Sequence, residues 1–121
     1  MDVVLVGFGT VGQGVAEVLG RKAATLQAAY GEKLRLVGVF DSKTFELNGK
    51  GIDPRGTVAR KAKLGGVGEK LDGRTVPELL ADFDYDVMIE VTPTNIKDGE
   101  PGLSHMMAAL TAGKDVVTSN K

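Results

Sequence analysis

The chain contains no cysteine, and it has no long apolar run. The lack of cysteine excludes disulfides, a thiol nucleophile and a cysteine-bound metal. No apolar run approaches the ~20 residues that are needed to span a bilayer. Met1 and Asp2 run directly into an apolar segment, which leaves no space for a signal peptide. We therefore expect a cytoplasmic protein without a membrane partner.

A strong charge of either sign is also missing. The 15 basic and 16 acidic side chains give a formal net charge of -1. Such a balance produces no large electrostatic field that would attract nucleic acid, so no nucleic-acid partner is expected. The 121 residues, 42% of them hydrophobic, suffice for a single globular domain with its own core. We assign residues 1–121 to one domain and predict no metal site.

The most informative segment is the start of the chain. Four apolar residues, Val3 to Val6, precede Gly7, Gly9 and Gly12, and a helical pattern follows. In a strand, turn and helix setting, this GxGxxG spacing is the fingerprint of dinucleotide binding. Gly7 would permit the turn, Gly9 would let the backbone approach a diphosphate, and Gly12 would let the helix pack closely. The alternative is a strand–helix unit that uses these glycines for packing alone.

The rest of the chain continues the alternation of strands and helices. Apolar runs predict strands over 34–40, 86–92 and 115–118. The first helix has a predicted apolar face of Val11, Val15, Val18, Leu19 and Leu26. Short helices are expected after Asp53-Pro54, ending at Gly65, and over 76–81, within the glycine-rich and basic segment 42–75. The fold class is α/β, a Rossmann-type doubly wound domain with a mostly parallel sheet.

The end of the second predicted strand carries Asp41. A carboxylate there can accept hydrogen bonds from the two hydroxyls of an adenosine ribose, or it can simply cap the strand end. Ser42 and Lys43 follow directly, and more basic residues lie downstream. These cations would favour the 2′-phosphate of NADP, whereas Asp41 would favour NAD, so both cofactors remain open. Among the cations, Lys43 is the preferred candidate; the downstream ones are Arg55, Arg60, Lys61 and Lys63.

The third strand is followed by Thr92-Pro93-Thr94-Asn95. Ligands of open α/β sheets bind at the carboxyl ends of the strands, so these groups are candidates for orienting a nicotinamide. Turn formation alone would also favour this composition. Glu90, which precedes them, is either a satisfied buried carboxylate or a group at the end of the sheet.

The last predicted helix has apolar residues at helical spacing, Leu103, Met106, Met107 and Leu110. This spacing predicts that they form its buried face. His105, the single histidine, falls off that face and is expected in solvent, although its residue type is suited to catalysis.

The final residue, Lys121, follows the last predicted strand. A lysine at this edge of the sheet can bind a substrate oxygen or relay a proton during hydride transfer. At the end of the sequence it can equally be frayed.

The whole chain resembles the NAD(P)-binding domain of homoserine dehydrogenases. The resemblance is carried by GFGTVGQGVAEVL at 7–19, by Asp41-Ser42-Lys43, and above all by EVTPTNIKDGEPGLSHMMAALTAGKDVVTSNK at 90–121. It implies the NAD- or NADP-dependent interconversion of L-homoserine and L-aspartate 4-semialdehyde in amino-acid biosynthesis. Ser119 departs from the alanine that is common in the family, a small-for-small change.

The resemblance also implies roles for particular residues. The backbone at Phe8, Thr10 and Val11 would receive the diphosphate, and Thr92 and Pro93 would line the nicotinamide end. Lys121 matches the family lysine that contacts both cofactor and substrate, and it is the candidate catalytic residue.

The family extends beyond this length into a substrate-binding and dimerising domain. We therefore expect this chain to be a fragment that binds cofactor with little turnover, and the full-length enzyme to be a homo-oligomer. A free-standing module that senses NAD(H) and another semialdehyde or amino acid dehydrogenase are the alternatives.

Overall fold

The computed structural model describes residues 1–31, 33–93 and 97–119. Within these ranges the strands are β1 (Asp2–Val6), β2 (Arg35–Phe40), β3 (Thr44–Leu47), β4 (Glu69–Lys70), β5 (Val87–Glu90) and β6 (Asp115–Thr118). The helices are α1 (Thr10–Tyr30), α2 (Pro54–Leu64), α3 (Val76–Leu80) and α4 (Gly102–Thr111).

The strands form one sheet in the order β4-β3-β2-β1-β5-β6. The pairs β1·β2, β1·β5 and β5·β6 are parallel. Because β1 continues to β2 on one side and lies beside β5 on the other, the strand order reverses next to β1. In an open α/β sheet, such a reversal is where ligands bind. The predicted α/β class and the parallel centre of the sheet are confirmed.

The central strands are apolar because both faces of the sheet are covered. Residues Val3 to Val6 of β1 are at most 2% exposed, and β2 is similarly buried. One core cluster is centred on Val4, Val6 and Phe40, and the other on Leu5 and Phe8. A continuous apolar run is the pattern of a doubly covered parallel strand, which is why the sequence identified these strands.

Two antiparallel strands were not predicted. β3 pairs with β2, and β4 pairs with β3. Both lie in the glycine-rich segment 42–75, where four-residue and two-residue strands leave little alternation to detect. The sheet is therefore mixed rather than parallel throughout.

Helices α2 and α3 begin at the predicted places. Asp53 caps α2 by accepting a hydrogen bond from the amide of Arg55, and Gly65 ends that helix in the left-handed conformation. Thr75 caps α3 through the amide of Glu78. The Asp-Pro start and the glycine stop of α2 were therefore sufficient signals.

The predicted apolar faces of α1 and α4 are wrong in part. In α1, Val11 and Val18 are exposed, whereas Gly12 and Ala16 are buried; the side chain of Leu26 lies outside the described set. Close packing of this helix on the sheet therefore selects small residues.

In α4 the buried residues are Gly102, His105 and Ala109. Three of the four predicted core residues of this helix are instead exposed: Leu103, Met107 and Leu110. The prediction that His105 lies in solvent is wrong, because its residue is only 8% exposed. Among the described residues no helix has the length and apolar character to cross a membrane.

Candidate functional site

The glycine-rich turn between β1 and α1 has the geometry expected of the fingerprint. Gly7 has φ +106°, and a Cβ there would lie 2.8 Å from the carbonyl of Val91. A Cβ on Gly12 would lie 2.1 Å from the carbonyl oxygen of Gly7. Around Gly9 no protein atom lies within 4 Å of the Cβ position. Gly7 and Gly12 are thus required by packing, whereas Gly9 leaves space on the open side of the turn.

The N-terminus of α1 offers free amide donors. Gly9 is its N-cap, with no side-chain cap hydrogen bond and no acidic residue in the first turn. The amide of Gln13 donates to the carbonyl of Gly9 at 2.9 Å. The amides of Thr10 and Val11 therefore lie at the positive end of the helix dipole without a capping side chain, which favours an anion such as a diphosphate.

The backbone of the glycine-rich turn between β1 and α1 is anchored by two side chains. Phe8 is 2% exposed and packs in the core with Leu5 and Ala16. The side-chain amide of Gln13 donates to the carbonyl of Phe8 at 3.0 Å. An aromatic anchor and a side-chain hydrogen bond thus fix the backbone that faces the site.

A cavity of about 820 Å³ opens over this turn at the carboxyl edge of the sheet. It extends from Asp41 and Ser42, past the glycine turn, to Thr92 and Pro93. Nine of the predicted site residues line it: Gly7, Phe8, Gly9, Thr10, Val11, Asp41, Ser42, Thr92 and Pro93. The sequence therefore located both ends and the middle of one cavity.

Asp41 is the acidic group at one end of the cavity. Its Oδ1 accepts from the amides of Lys43 and Thr44 and from the hydroxyl of Thr44, at 2.9, 2.6 and 2.7 Å. Its Oδ2 accepts from Nζ of Lys61 at 2.7 Å. Burial raises the pKa of Asp41, but these hydrogen bonds outweigh it, and the pKa lies below its usual value. Asp41 thus shapes the β2–β3 turn in addition to facing the cavity.

The basic residues near Asp41 separate into different environments. Lys61 lines the main cavity, whereas Lys43 lines a second cavity of about 630 Å³ that meets the first at Ser42. The Arg60 guanidinium donates hydrogen bonds to the carboxylate of Glu46 and to the carbonyl of Val67. Lys61, which the sequence did not distinguish from the other basic residues, is therefore the lysine beside Asp41.

Arg74 also lines the main cavity, although no sequence pattern pointed to it. Its guanidinium donates to the carbonyls of Lys70 and Leu71 and to the carboxylate of Glu69, and it lies over the ring of Phe45. These contacts come from β3, β4 and the turn after them, which were not predicted.

The other end of the cavity is organised by a buried pair. Oε2 of Glu90 lies 2.6 Å from Nδ1 of His105, and the Glu90 residue has no exposed surface. Oε1 of Glu90 accepts from the amide of Thr92 at 2.8 Å and from the Thr92 hydroxyl. The carbonyl of Glu90 accepts from the hydroxyl of Thr118 at 2.9 Å. One residue therefore joins the Thr92 turn, α4 and the end of β6.

This arrangement favours the ionised form of Glu90. Burial raises the pKa of Glu90, but the hydrogen bonds from His105 and Thr92 lower it by more than burial raises it. The pKa of Glu90 therefore lies below its usual value. With Nδ1 turned to the carboxylate, His105 contributes to the cavity wall. The sequence left two interpretations of Glu90 open, a buried carboxylate with its hydrogen bonds satisfied and a group at the end of the sheet. Both describe its position in the structure.

Some predicted residues do not line this cavity or cannot be placed. Gly12 packs against Gly7 rather than facing the cavity. Thr94, Asn95 and Lys121 lie outside the described residues, so the proposed catalytic lysine stays a prediction.

Comparison with known proteins identifies the family. The model of the homoserine dehydrogenase NAD-binding domain matches residues 7–121. The chain belongs to this family. A homoserine dehydrogenase from Methanocaldococcus jannaschii is 34% identical over 100% of the chain, and an NAD(+)-dependent homoserine dehydrogenase from Pseudomonas canavaninivorans is 36% identical over 97%.

Solved structures of family members share the fold. A crystal structure assigned to a homoserine dehydrogenase from Archaeoglobus fulgidus has a TM-score of 0.83 at 35% identity, over 99% of this chain and 34% of that one. That of Thermoplasma acidophilum homoserine dehydrogenase has a TM-score of 0.80 at 26% identity, over 99% and 35%. The chain spans 37% and 34% of the two curated relatives. The chain therefore corresponds to the NAD-binding part of these relatives, and NAD is the cofactor of the domain family that it matches.

Proposed function

We propose that this chain binds NAD with the diphosphate at the N-terminus of α1. The observation that carries the proposal is the set of free amides at Thr10 and Val11, beside a Gly9 whose Cβ position is empty. Helices α2 and α3 begin with side-chain caps, whereas α1 and α4 begin without one. Of the two uncapped helices, α1 is the one that follows the glycine-rich turn, and an anionic ligand there would supply the partner that a side chain supplies in α2 and α3.

The adenosine end of the cofactor would lie at Asp41, Ser42 and Lys61. Oδ1 of Asp41 already accepts three hydrogen bonds, whereas Oδ2 accepts one, from Lys61. A ribose hydroxyl would therefore bond to Oδ2, which has room for a second donor beside Lys61. The Lys61 ammonium would then lie next to the ribose and could bind a 2′-phosphate, so NADP binding is part of the proposal. Lys43 approaches the same region from the second cavity.

The nicotinamide end would lie at Thr92 and Pro93, with Lys121 beside the substrate. When bound, the nicotinamide supplies hydride transfer, and the chain's residues bind and orient it. We propose that the complete protein interconverts L-homoserine and L-aspartate 4-semialdehyde. The family membership supports this proposal.

We extend the same proposal to the setting of the complete protein. It would act in the cytoplasm, in the biosynthesis of threonine and methionine, as a homo-oligomer that takes an amino acid substrate. Residues 1–121 would form its cofactor-binding domain.

Fluorescence titration of the chain with NADH and NADPH tests cofactor binding directly. Saturable binding that ADP-ribose displaces would support the proposal, because ADP-ribose retains the ribose and diphosphate groups that the site would hold. Absence of binding by both nucleotides would reject it. Assay of a complete protein containing this domain, with homoserine as substrate and NAD as oxidant, tests the reaction, and a binding-competent but inactive protein would favour a sensing module.

A further inference from the structure

One wall of the main cavity is formed by the segment 71–76, which joins β4 to α3. The residues of this segment that line the cavity are Leu71, Arg74, Thr75 and Val76. The amide of Leu71 donates to the carbonyl of Lys43 at 2.8 Å, and the amide of Lys43 donates to Asp41. The segment is therefore attached to the turn that carries Asp41, at the proposed adenosine end of the cavity.

The Arg74 side chain is held along one edge and over one ring. Its Nε donates to the carbonyl of Leu71 at 2.9 Å, and its Nη2 donates to the carbonyl of Lys70 at 2.8 Å and to the carboxylate of Glu69 at 3.1 Å. Its Cζ lies 5.1 Å from the centroid of the Phe45 ring. These contacts fix the guanidinium as a flat, oriented group rather than a freely rotating charge.

The exposure of the two side chains indicates which side of the guanidinium is open. The Arg74 side chain is 44% exposed, whereas Phe45 is buried. Arg74 lines the cavity, and Phe45 is not among the described residues that do. This is the order of layers expected when one face of the guanidinium packs on the ring and the other face meets the cavity.

The chemistry of this open face suits an aromatic ligand better than a phosphate. Among the described contacts only Nη1 of Arg74 has no acceptor, and a phosphate there would lie near the Glu69 carboxylate. A flat aromatic ring needs only the face of the guanidinium, because such planes stack on one another. Leu71 and Val76 add aliphatic surface to the same wall.

We propose that Arg74 stacks on the adenine ring of the bound dinucleotide, with Leu71 and Val76 beside the base. This inference rests on the proposed function, because it needs the adenosine to lie near Asp41. It assigns Arg74 to the base and leaves a 2′-phosphate to Lys61.

The first test separates stacking from attraction of a charge. Arg74→Lys keeps the positive charge and removes the planar face. We expect fluorescence titration to show that it weakens NADH and NADPH by the same factor, at least about fivefold, as for loss of one stacked base. Lys70→Ala is the matched control, because Lys70 lines the second cavity; it should change either Kd less than about twofold.

The possible outcomes distinguish this inference from the proposed function. If Arg74→Lys binds both nucleotides as the unmodified chain does, the inference is overturned while cofactor binding stands. A loss confined to NADPH would overturn it as well, since it would identify a phosphate contact. If the unmodified chain binds neither nucleotide, the proposed function itself fails.

A second test uses the unmodified chain, because a disturbed turn in Arg74→Lys would also weaken both nucleotides. Protons over the face of an aromatic ring resonate upfield, so saturation with ADP-ribose should move the Arg74 Nε–H signal upfield in the NMR spectrum. The Nε–H of Arg21, an exposed residue of α1, is the reference. An Arg74 signal that moves no more than that of Arg21 would overturn the inference, whatever the variants show.

Discussion

Nζ of Lys61 lies 2.7 Å from Oδ2 of Asp41, a carboxylate whose side chain is only 6% exposed. The pair joins α2 to the turn after β2 at the proposed adenosine end of the cavity. An unpaired carboxylate there would repel the 2′-phosphate of NADP. The partner of Asp41 is therefore expected to control the choice between NAD and NADP.

We predict that Lys61→Ala weakens NADPH binding about tenfold more than NADH binding, because the 2′-phosphate loses a cation and meets an uncompensated acid. The measurement is the ratio of the two Kd values by fluorescence titration. Lys43→Ala, which changes a lysine of the second cavity, should alter the ratio less than about twofold. The assignment of Lys61 fails if the two variants behave alike, or if only Lys43→Ala changes the ratio.

Gly9 provides a prediction that separates binding from folding. A methyl group at Gly9 meets no protein atom within 4 Å, yet it projects from the turn that would face the diphosphate. We expect Gly9→Ala to keep the urea midpoint and to weaken NADH binding at least about tenfold. Gly14→Ala is the control, since Gly14 lies in the second turn of α1, away from the proposed diphosphate contacts, and its Cβ position is equally open. Unchanged NADH affinity in Gly9→Ala would argue against backbone contact at this position.

At Gly12, in contrast to Gly9, we expect an added methyl group to lower stability. A Cβ there would lie 2.1 Å from the carbonyl oxygen of Gly7, a backbone atom that cannot rotate away. We expect Gly12→Ala to lower the free energy of unfolding by about 2–3 kcal/mol, in the range of overpacked core substitutions. Urea unfolding measures it, with Gly14→Ala as the reference. A stability equal to that of the reference would show that α1 can shift away from β1 without cost.

The sequence was sufficient where a local signal matched a local structure. The strand–glycine–helix start, the Asp53-Pro54 cap and the Gly65 stop each depend on residues adjacent in the chain, and each was found as predicted. The carboxyl edge of the sheet then follows from the order of strands and helices. This is why Asp41 and Thr92 were both expected at the carboxyl edge from sequence alone.

The prediction failed where a distant partner decides the outcome. His105 is buried because Glu90, on another element, accepts its Nδ1 hydrogen, and no helical periodicity contains that information. The apolar spacing of Leu103, Met107 and Leu110 pointed to the wrong face, because α4 packs through Gly102 and Ala109. Close helix–sheet contact favours small residues, and a periodicity of large apolar residues does not detect them.

The acid side of the stability profile offers a test of the Asp41 contacts. Its pKa is lowered in the folded chain, so its contribution to stability is present above the unfolded pKa and is lost as pH falls through the folded one. We therefore expect unfolding free energy to decrease below about pH 4, where aspartate in the unfolded chain becomes protonated. Asp41→Asn should lose less stability than the unmodified chain between pH 6 and pH 3. An equal loss in both would place the acid sensitivity elsewhere.

The most direct test of the central claim is a crystal structure of this chain with NAD⁺. We predict diphosphate oxygens within about 3 Å of the amide nitrogens of Thr10 and Val11, with the nicotinamide at Thr92 and Pro93. A dinucleotide whose diphosphate lies away from the N-terminus of α1 would contradict the account.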